Sequence, residues 1–278
     1  MADDTILAYH DSESLKKAFV KQVVTARENK VFATSGFKAI RPNTQDFISW
    51  LAPSAKRSEA SQVVSQRLGI PEELLLLSAA IYQRIKKSQF VAERFLAAIE
   101  TGSDLSGCTN KILKWILVDS SSALINHCKK KGSKNLLKRC AEMFGEGNEI
   151  DQKVAIEIEL ECRERAKSHK LRRKLFMPDG TRAELDLLRP EFIALWGAAR
   201  AAAWQARTVR SAYWVLMVAD AWFRAEKESF VEKNQDNQEF RTVNIREHFD
   251  LEVAPILAEA LFDQLISAIK DAASNQNS

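Results

Sequence analysis

Polar and apolar positions along most of this chain alternate at helical spacing. Leu15, Phe19 and Val23 recur four apart over residues 13–29, and Asp11 and Ser12 stand just before them as caps. Residues 30–36 fit a short strand. Asn43 or Thr44 opens a helix through Leu51 that Pro53 stops. Residues 58–68 read as the next helix, closed by Gly69. Pro71 then opens another at its favoured first-turn position, running to about Lys87. Helical patterning continues over 89–100, 110–130 and 133–144. Gly102, Gly132 and Gly145 end these runs where a left-handed cap needs glycine.

The period changes after residue 152. Val154, Ile156, Ile158, Leu160 and Cys162 alternate with Glu157, Glu159 and Glu161. A two-residue step turns about 200° on a helix but keeps one face on a strand, so the alternation predicts a strand. Pro178-Asp179-Gly180 then predicts a turn joining 171–177 to 181–188, where Ala183, Leu185 and Leu187 alternate with Arg182, Glu184 and Asp186. The outward charges would be acidic, basic (Arg172, Lys174) and mostly acidic on the three strands, a ladder worth roughly 0.2–1 kcal/mol per opposite pair. Pro190 starts a helical stretch to about Lys233, roughly 65 Å long if Gly197 or Ser211 does not break it. Residues 232–244 form a polar linker. Leu257, Leu261 and Leu265 mark an amphipathic helix over 255–273, and the last five residues form a frayed tail.

The expected fold is therefore predominantly α and multi-helix. A small antiparallel three-stranded β meander, at about 152–188, is inserted before a long Trp/Arg-rich helix. An N-terminal helical region, 1–148, precedes a C-terminal region, 149–278, that holds the meander and the long helices. Composition agrees with a helical reading: 9 glycines and 6 prolines in 278 residues are too few for a turn-rich sandwich or barrel. Hydrophobic residues at 46% suffice for a core, so the chain is not disordered as a whole.

Charge adds one feature. The 41 Lys and Arg against 37 Asp and Glu leave a mild +4, yet no acidic residue occurs between Ser120 and Ala141. Lys129, Lys130, Lys131, Lys134, Lys138 and Arg139 fall in that window. They form a candidate surface for nucleic-acid phosphates. The competing structural reading is that these cations sit at a helix C-terminus and answer its dipole. A second basic run lies at 163–174, where strand pairing would consume Arg172 and Lys174.

Aromatic residues add another. On one continuous helix Trp196, Arg200, Trp204, Arg207, Trp214 and Trp222 fall within about 80° of one another, so indole and guanidinium alternate on one face. Trp196, Arg200, Trp204 and Arg207 are thus a candidate interaction face for stacked bases or a protein partner. The bland alternative is a packed seam in which arginine stems cover the indoles. Residues 61–84, with Ser65, Gly69 and Leu75, have the spacing of a helix-turn-helix, but Glu72, Glu73 and four consecutive leucines suit a core hairpin better.

Catalytic and metal patterns are missing. Cys108, Cys128, Cys140 and Cys162 contain no C-x-x-C pair and read as reduced, mostly buried thiols. His10, His127, His169 and His248 are scattered, and no Walker, G-x-S-x-G or dinucleotide glycine pattern occurs. Arg163 and His169 resemble the spaced arginine and histidine of helical ribonucleases of the HEPN type. That chemistry needs a helix, which conflicts with the strand expected at 154–162. No cofactor or metal is expected. The acidic start MADDTILAYHD has no apolar segment and no run of about 18 apolar residues follows, so the expectation is a cytoplasmic protein without a membrane span. The leading function is a non-enzymatic regulatory or accessory protein that contacts nucleic acid through the lysine tract. The alternatives are a protein-interaction scaffold or homodimer using the Trp/Arg face, and an enzyme with a dispersed site.

Overall fold

The computed structural model describes residues 6–29, 48, 51–52, 54–56, 59–85, 90–145, 151–176, 182–206, 212–234 and 244–276. For 170–176, 182–188, 212 and 275–276 it describes the backbone alone. The strand expected at 30–36, most of the helix expected at 43–51, and the 178–180 turn lie outside these residues.

The chain divides into two compact units. The first comprises 1–112 and 250–278. Its first helix, α1 (Glu13–Glu28), starts where the Ser12 hydroxyl accepts the Leu15 N–H, and it buries Phe19, Val23 and Ala26. Next come α2 (Ala60–Leu68) and α3 (Glu72–Tyr82). Gly69, at φ +63°, separates them; a Cβ there would sit 2.1 Å from the Leu7 carbonyl oxygen, so only glycine fits. Helix α4 (Val91–Ala98) packs on α1 and α3, and α5 (Cys108–Lys114) leads out of the unit. Residues 74–82 of α3 are buried on every face, which makes this helix the centre of the unit.

The second unit, 113–249, continues α5 into a π turn (Trp115–Asp119) and a 3-10 turn (Leu124–His127). The helix expected over 110–130 stops early. Its serines compete for the backbone: Ser120 Oγ accepts the Ser122 N–H, and Asn126 Nδ2 donates to the Ser121 carbonyl. Helix α6 (Lys131–Glu142) follows, then α7 (Gln152–Ser168), capped by the Asp151 carboxylate on the Lys153 N–H. Strands β1 (Lys170–Phe176) and β2 (Arg182–Leu188) pair antiparallel, Arg173 opposite Leu185. Helices α8 (Pro190–Gln205), α9 (Ala212–Asn234) and the short α10 (Ile245–His248) complete the unit. The last element of the first unit is α11 (Ala254–Gln276), which packs on α3 and α4.

The three-stranded meander expected at about 152–188 is not formed. The structure is predominantly helical, and the segment read as its first strand lies inside α7. Among the described residues only β1 and β2 pair, as a two-stranded ribbon. Ala155, Ile158, Cys162 and Ala166 make a buried stripe at steps of three and four, while Val154, Ile156 and Leu160 face out. Small residues carried the helical period, and the larger apolar side chains obscured it. The helical stretch expected from 190 to 233, left open to a break at Gly197 or Ser211, is two helices, α8 and α9, packed on each other, and Gly197 lies inside the first. Gly197 lets them meet, since a Cβ there would lie 3.0 Å from Ala221 Cβ and 2.9 Å from Leu124 Cδ1.

The α7 stripe gives a paired test. Ile158 is 1% exposed and Ile156 45%. Ile158→Asp is expected to cost about 3 kcal/mol or more in urea denaturation, and Ile156→Asp within about 0.5 kcal/mol of wild type. Strand geometry would place both residues on one face and make the two losses alike.

Candidate functional site

The lysine tract lies at the start of α6 rather than at the end of the preceding helix. Lys130 is the N-cap residue, with no side-chain cap, and the first turn holds no acidic residue. The Lys134 N–H donates to the Lys130 carbonyl (3.1 Å), so the amides of Lys131, Gly132 and Ser133 precede the first helical acceptor. The positive end of the helix dipole therefore adds to the charges of Lys130, Lys131 and Lys134, and the C-terminal dipole explanation holds only for Arg139, in the last turn of α6. Carboxylates answer part of it: Glu232 lies 3.6 Å from Lys129, and Glu161 accepts from Arg139 at 3.0 Å. Lys130, Lys131, Lys134 and Lys138 are exposed, and among the described residues none of them has an ion pair.

A guanidinium completes this end of the helix. Arg165 of α7 places Nε and Nη2 each 3.0 Å from Glu161 Oε1. Its Nη1 lies over Gly132, where a Cβ would stand 2.8 Å away. Ser133, the third residue of α6, is fully buried, and its hydroxyl has no hydrogen-bond partner among the described residues.

Beside it lies a buried acid–base pair. His169 ends α7, and Glu191 sits in the first turn of α8, where a carboxylate suits the helix dipole. His169 Nδ1 and Glu191 Oε2 are 3.4 Å apart. Glu191 Oε1 is buried without a hydrogen-bond partner among the described residues. Burial pushes the His169 pKa below its usual value; Glu191 opposes this, while Lys130, Arg189 and Arg165 reinforce it. The start of α6, the end of α7 and the start of α8 thus bring three cationic side chains, Lys130, Arg165 and Arg189, around an imidazole whose pKa is lowered.

Arg163 is not part of this group. Six helical positions place it about 240° around α7 from His169. It pairs with Glu159 and lies over Trp196. The helix that HEPN-type chemistry requires is present, but the cations acting on His169 are Lys130, Arg189 and Arg165, not Arg163.

Part of the indole–guanidinium face packs within the second unit, with Trp196 and Arg200 half-buried. Trp196 lies under the guanidinium groups of Arg163 and Arg200, at 5.8 and 5.6 Å, and stacks on Phe192. Trp204 is buried against Phe144. Trp222 is fully buried and donates its indole N–H to the Ser122 carbonyl at 2.7 Å. Arg207 lies outside the described residues. In the first unit, the helix-turn-helix spacing corresponds to α2 and α3, but α3 is a core helix and its Glu72 accepts the Ser61 hydroxyl, so it has no polar face for a DNA groove.

The four thiols are free and buried. Burial pushes Cys108, Cys128 and Cys140 up to about 12, and Cys162 rises as well. As protonated thiols they are poor nucleophiles. Among the described residues no group of three His, Cys, Asp or Glu side chains could hold a metal ion, and no helix is long and apolar enough to cross a membrane.

Ser133, Arg165, Arg189 and Glu191 were not among the sequence candidates for the lysine surface. One signal was available: Pro190 at a helix start places residue 191 in a first turn. Ser133 had none, because a serine after a glycine reads equally as a cap or a turn. Comparison with known proteins leaves the geometry to stand alone: no family model, curated protein or solved structure matches the chain.

His169 makes stability depend on pH. A histidine whose folded pKa lies below its unfolded value binds its proton more readily when unfolded. Its contribution is fully present above the unfolded pKa, about 6.5, and is lost as pH falls through the lowered folded value. Urea denaturation between pH 7.5 and 5.5 is expected to show wild type losing stability on acidification and His169→Gln losing distinctly less. Parallel pH profiles would contradict the assignment.

Proposed function

We propose that this protein is a non-enzymatic regulatory or accessory protein that binds nucleic acid through phosphate contacts at the start of α6. Lys130, Lys131, Lys134 and Lys138 make the contacts, with Lys129 and Arg139 at the margins. One observation carries the reading: Lys130, Lys131 and Lys134, exposed and without ion pairs among the described residues, gather at the positive end of a helix whose first turn holds no acid, and Lys138 extends the row along the helix. Lysines so placed repel one another and the helix dipole, which weakens the free protein slightly. A polyanion reverses the sign of every one of those interactions. Such contacts read charge rather than sequence, because lysine is a point charge on a flexible stem and no side chain here is held for base edges.

Fluorescence anisotropy against labelled duplex DNA, single-stranded DNA and RNA over a salt series tests this. Wild type is expected to bind at micromolar concentration or tighter, with log K falling by about 3 to 4 per log unit of salt if four phosphates are neutralised. Changing Lys130, Lys131, Lys134 and Lys138 together to Glu is expected to weaken binding by about tenfold or more and to flatten that slope. Undiminished binding by this variant, or no binding by wild type at low salt, overturns the reading.

A further inference from the structure

We propose that the first turn of α6 is a seat for one dianionic phosphate monoester, such as the terminal phosphate of a nucleic-acid strand. The inference rests on the lysine tract being a phosphate surface, and it adds a single cradle and one kind of phosphate.

Three independent features meet there. The amides of Lys131, Gly132 and Ser133 point out of the helix end without intrahelical acceptors, the arrangement that receives anions at helix N-termini. The Arg165 guanidinium lies directly over Gly132, with Nε and Nη2 held by Glu161 and Nη1 turned toward the helix. The Ser133 hydroxyl is fully buried without a partner. An isolated buried hydroxyl is costly to keep, and Cα–Cβ bonds in a helix tilt toward its N-terminus, so this one leans toward the open turn. A phosphate entering the turn supplies the missing acceptor as Arg165 shifts to meet it.

The charges nearby favour the ligand. Glu161 is matched by Arg139 and Arg165; Glu191, beside an imidazole that burial discourages from charging, opposes the ligand but is outnumbered by Lys130, Lys134 and Arg189. Lys130 and Lys134 flank the turn without ion pairs among the described residues. A monoester suits the seat better than a diester. It has three free oxygens and a charge of about −1.5 to −2, whereas a chain passing through would need an exit where Ser133 and Arg165 close the turn.

The test uses the full-length protein and unlabelled single strands of one sequence competing against a labelled reporter strand. The competitors carry a 5′-phosphate, a 3′-phosphate or only hydroxyl ends. Wild type is expected to prefer one phosphorylated end by about fivefold or more, and which end wins identifies the source of the monoester. Ser133→Ala, which removes an unsatisfied hydroxyl and so keeps the fold, is expected to cut that preference below about twofold. Gly132→Ala does the same by pushing Arg165 aside. Neither is expected to change affinity for the hydroxyl-ended strand by more than about twofold.

A second readout needs no nucleic acid. Inorganic phosphate is expected to raise the Tm of wild type above that in chloride at equal ionic strength, and to raise it less in Ser133→Ala. Equal competition by all three strands, or a phosphate effect identical in wild type and Ser133→Ala, overturns the seat. Strands that all bind equally but weaken with the lysine-to-glutamate variant would overturn the seat alone and leave the phosphate surface standing. A phosphate-specific Tm rise lost in Ser133→Ala, with no strand bound, would do the reverse.

Discussion

Close approach of helices over small side chains is the constraint on which the second unit depends. Helix α8 is buried nearly all round through Ala194, Ala198, Ala199, Ala201, Ala202 and Ala203, and Gly197 leaves no room for even a methyl group beside α9. Backbones that pack this tightly gain many dispersion contacts and leave few voids. They also fix where helix ends fall. Because α7 and α8 run side by side and α6 packs on both, the end of α7 and the starts of α6 and α8 gather in one place.

On the proposed reading, that convergence turns ordinary charges into a site. Lysines at the end of a helix would be an electrostatic cap, and Lys130, Lys131 and Lys134 at the start of α6 are instead an unsatisfied positive field. Glu161 holds Arg139 on one side and Arg165 on the other, so the guanidinium over Gly132 is fixed through a carboxylate of the neighbouring helix. An anion bound there, as proposed, would draw on positions set by helix packing rather than on loops that must be ordered first.

How much of this was legible in the sequence depended on which side chains carried the signal. Leu15, Phe19 and Val23 are large and regularly spaced, and α1 is where they place it. Gly69 and Pro71 mark the junction of α2 and α3 through backbone geometry alone. Over 154–166 the signal was inverted: Ala155 and Ala166 help set the buried face but weigh little in a hydrophobic pattern, while exposed Ile156 and Leu160 weigh heavily. The six basic residues of the tract could be read directly, but the sign of their helix dipole could not. It turned on whether Gly132 ends one helix or begins the next, and the serine-led break after Asp119 decided that. Arg165 and Glu191 come from other helices, and no local pattern links them to Gly132.

The buried cysteines carry a consequence for watching this protein in motion. Cys108 and Cys140 donate to carbonyls on helices far away in sequence, Ala268 and Ala198, and all four thiols are shielded and protonated in the folded state. Cys108 belongs to one unit and Cys128, Cys140 and Cys162 to the other. A thiol reagent therefore finds nothing to modify until a helix lifts away. The order in which the four sites become labelled records which unit opens first, without any probe having to be introduced.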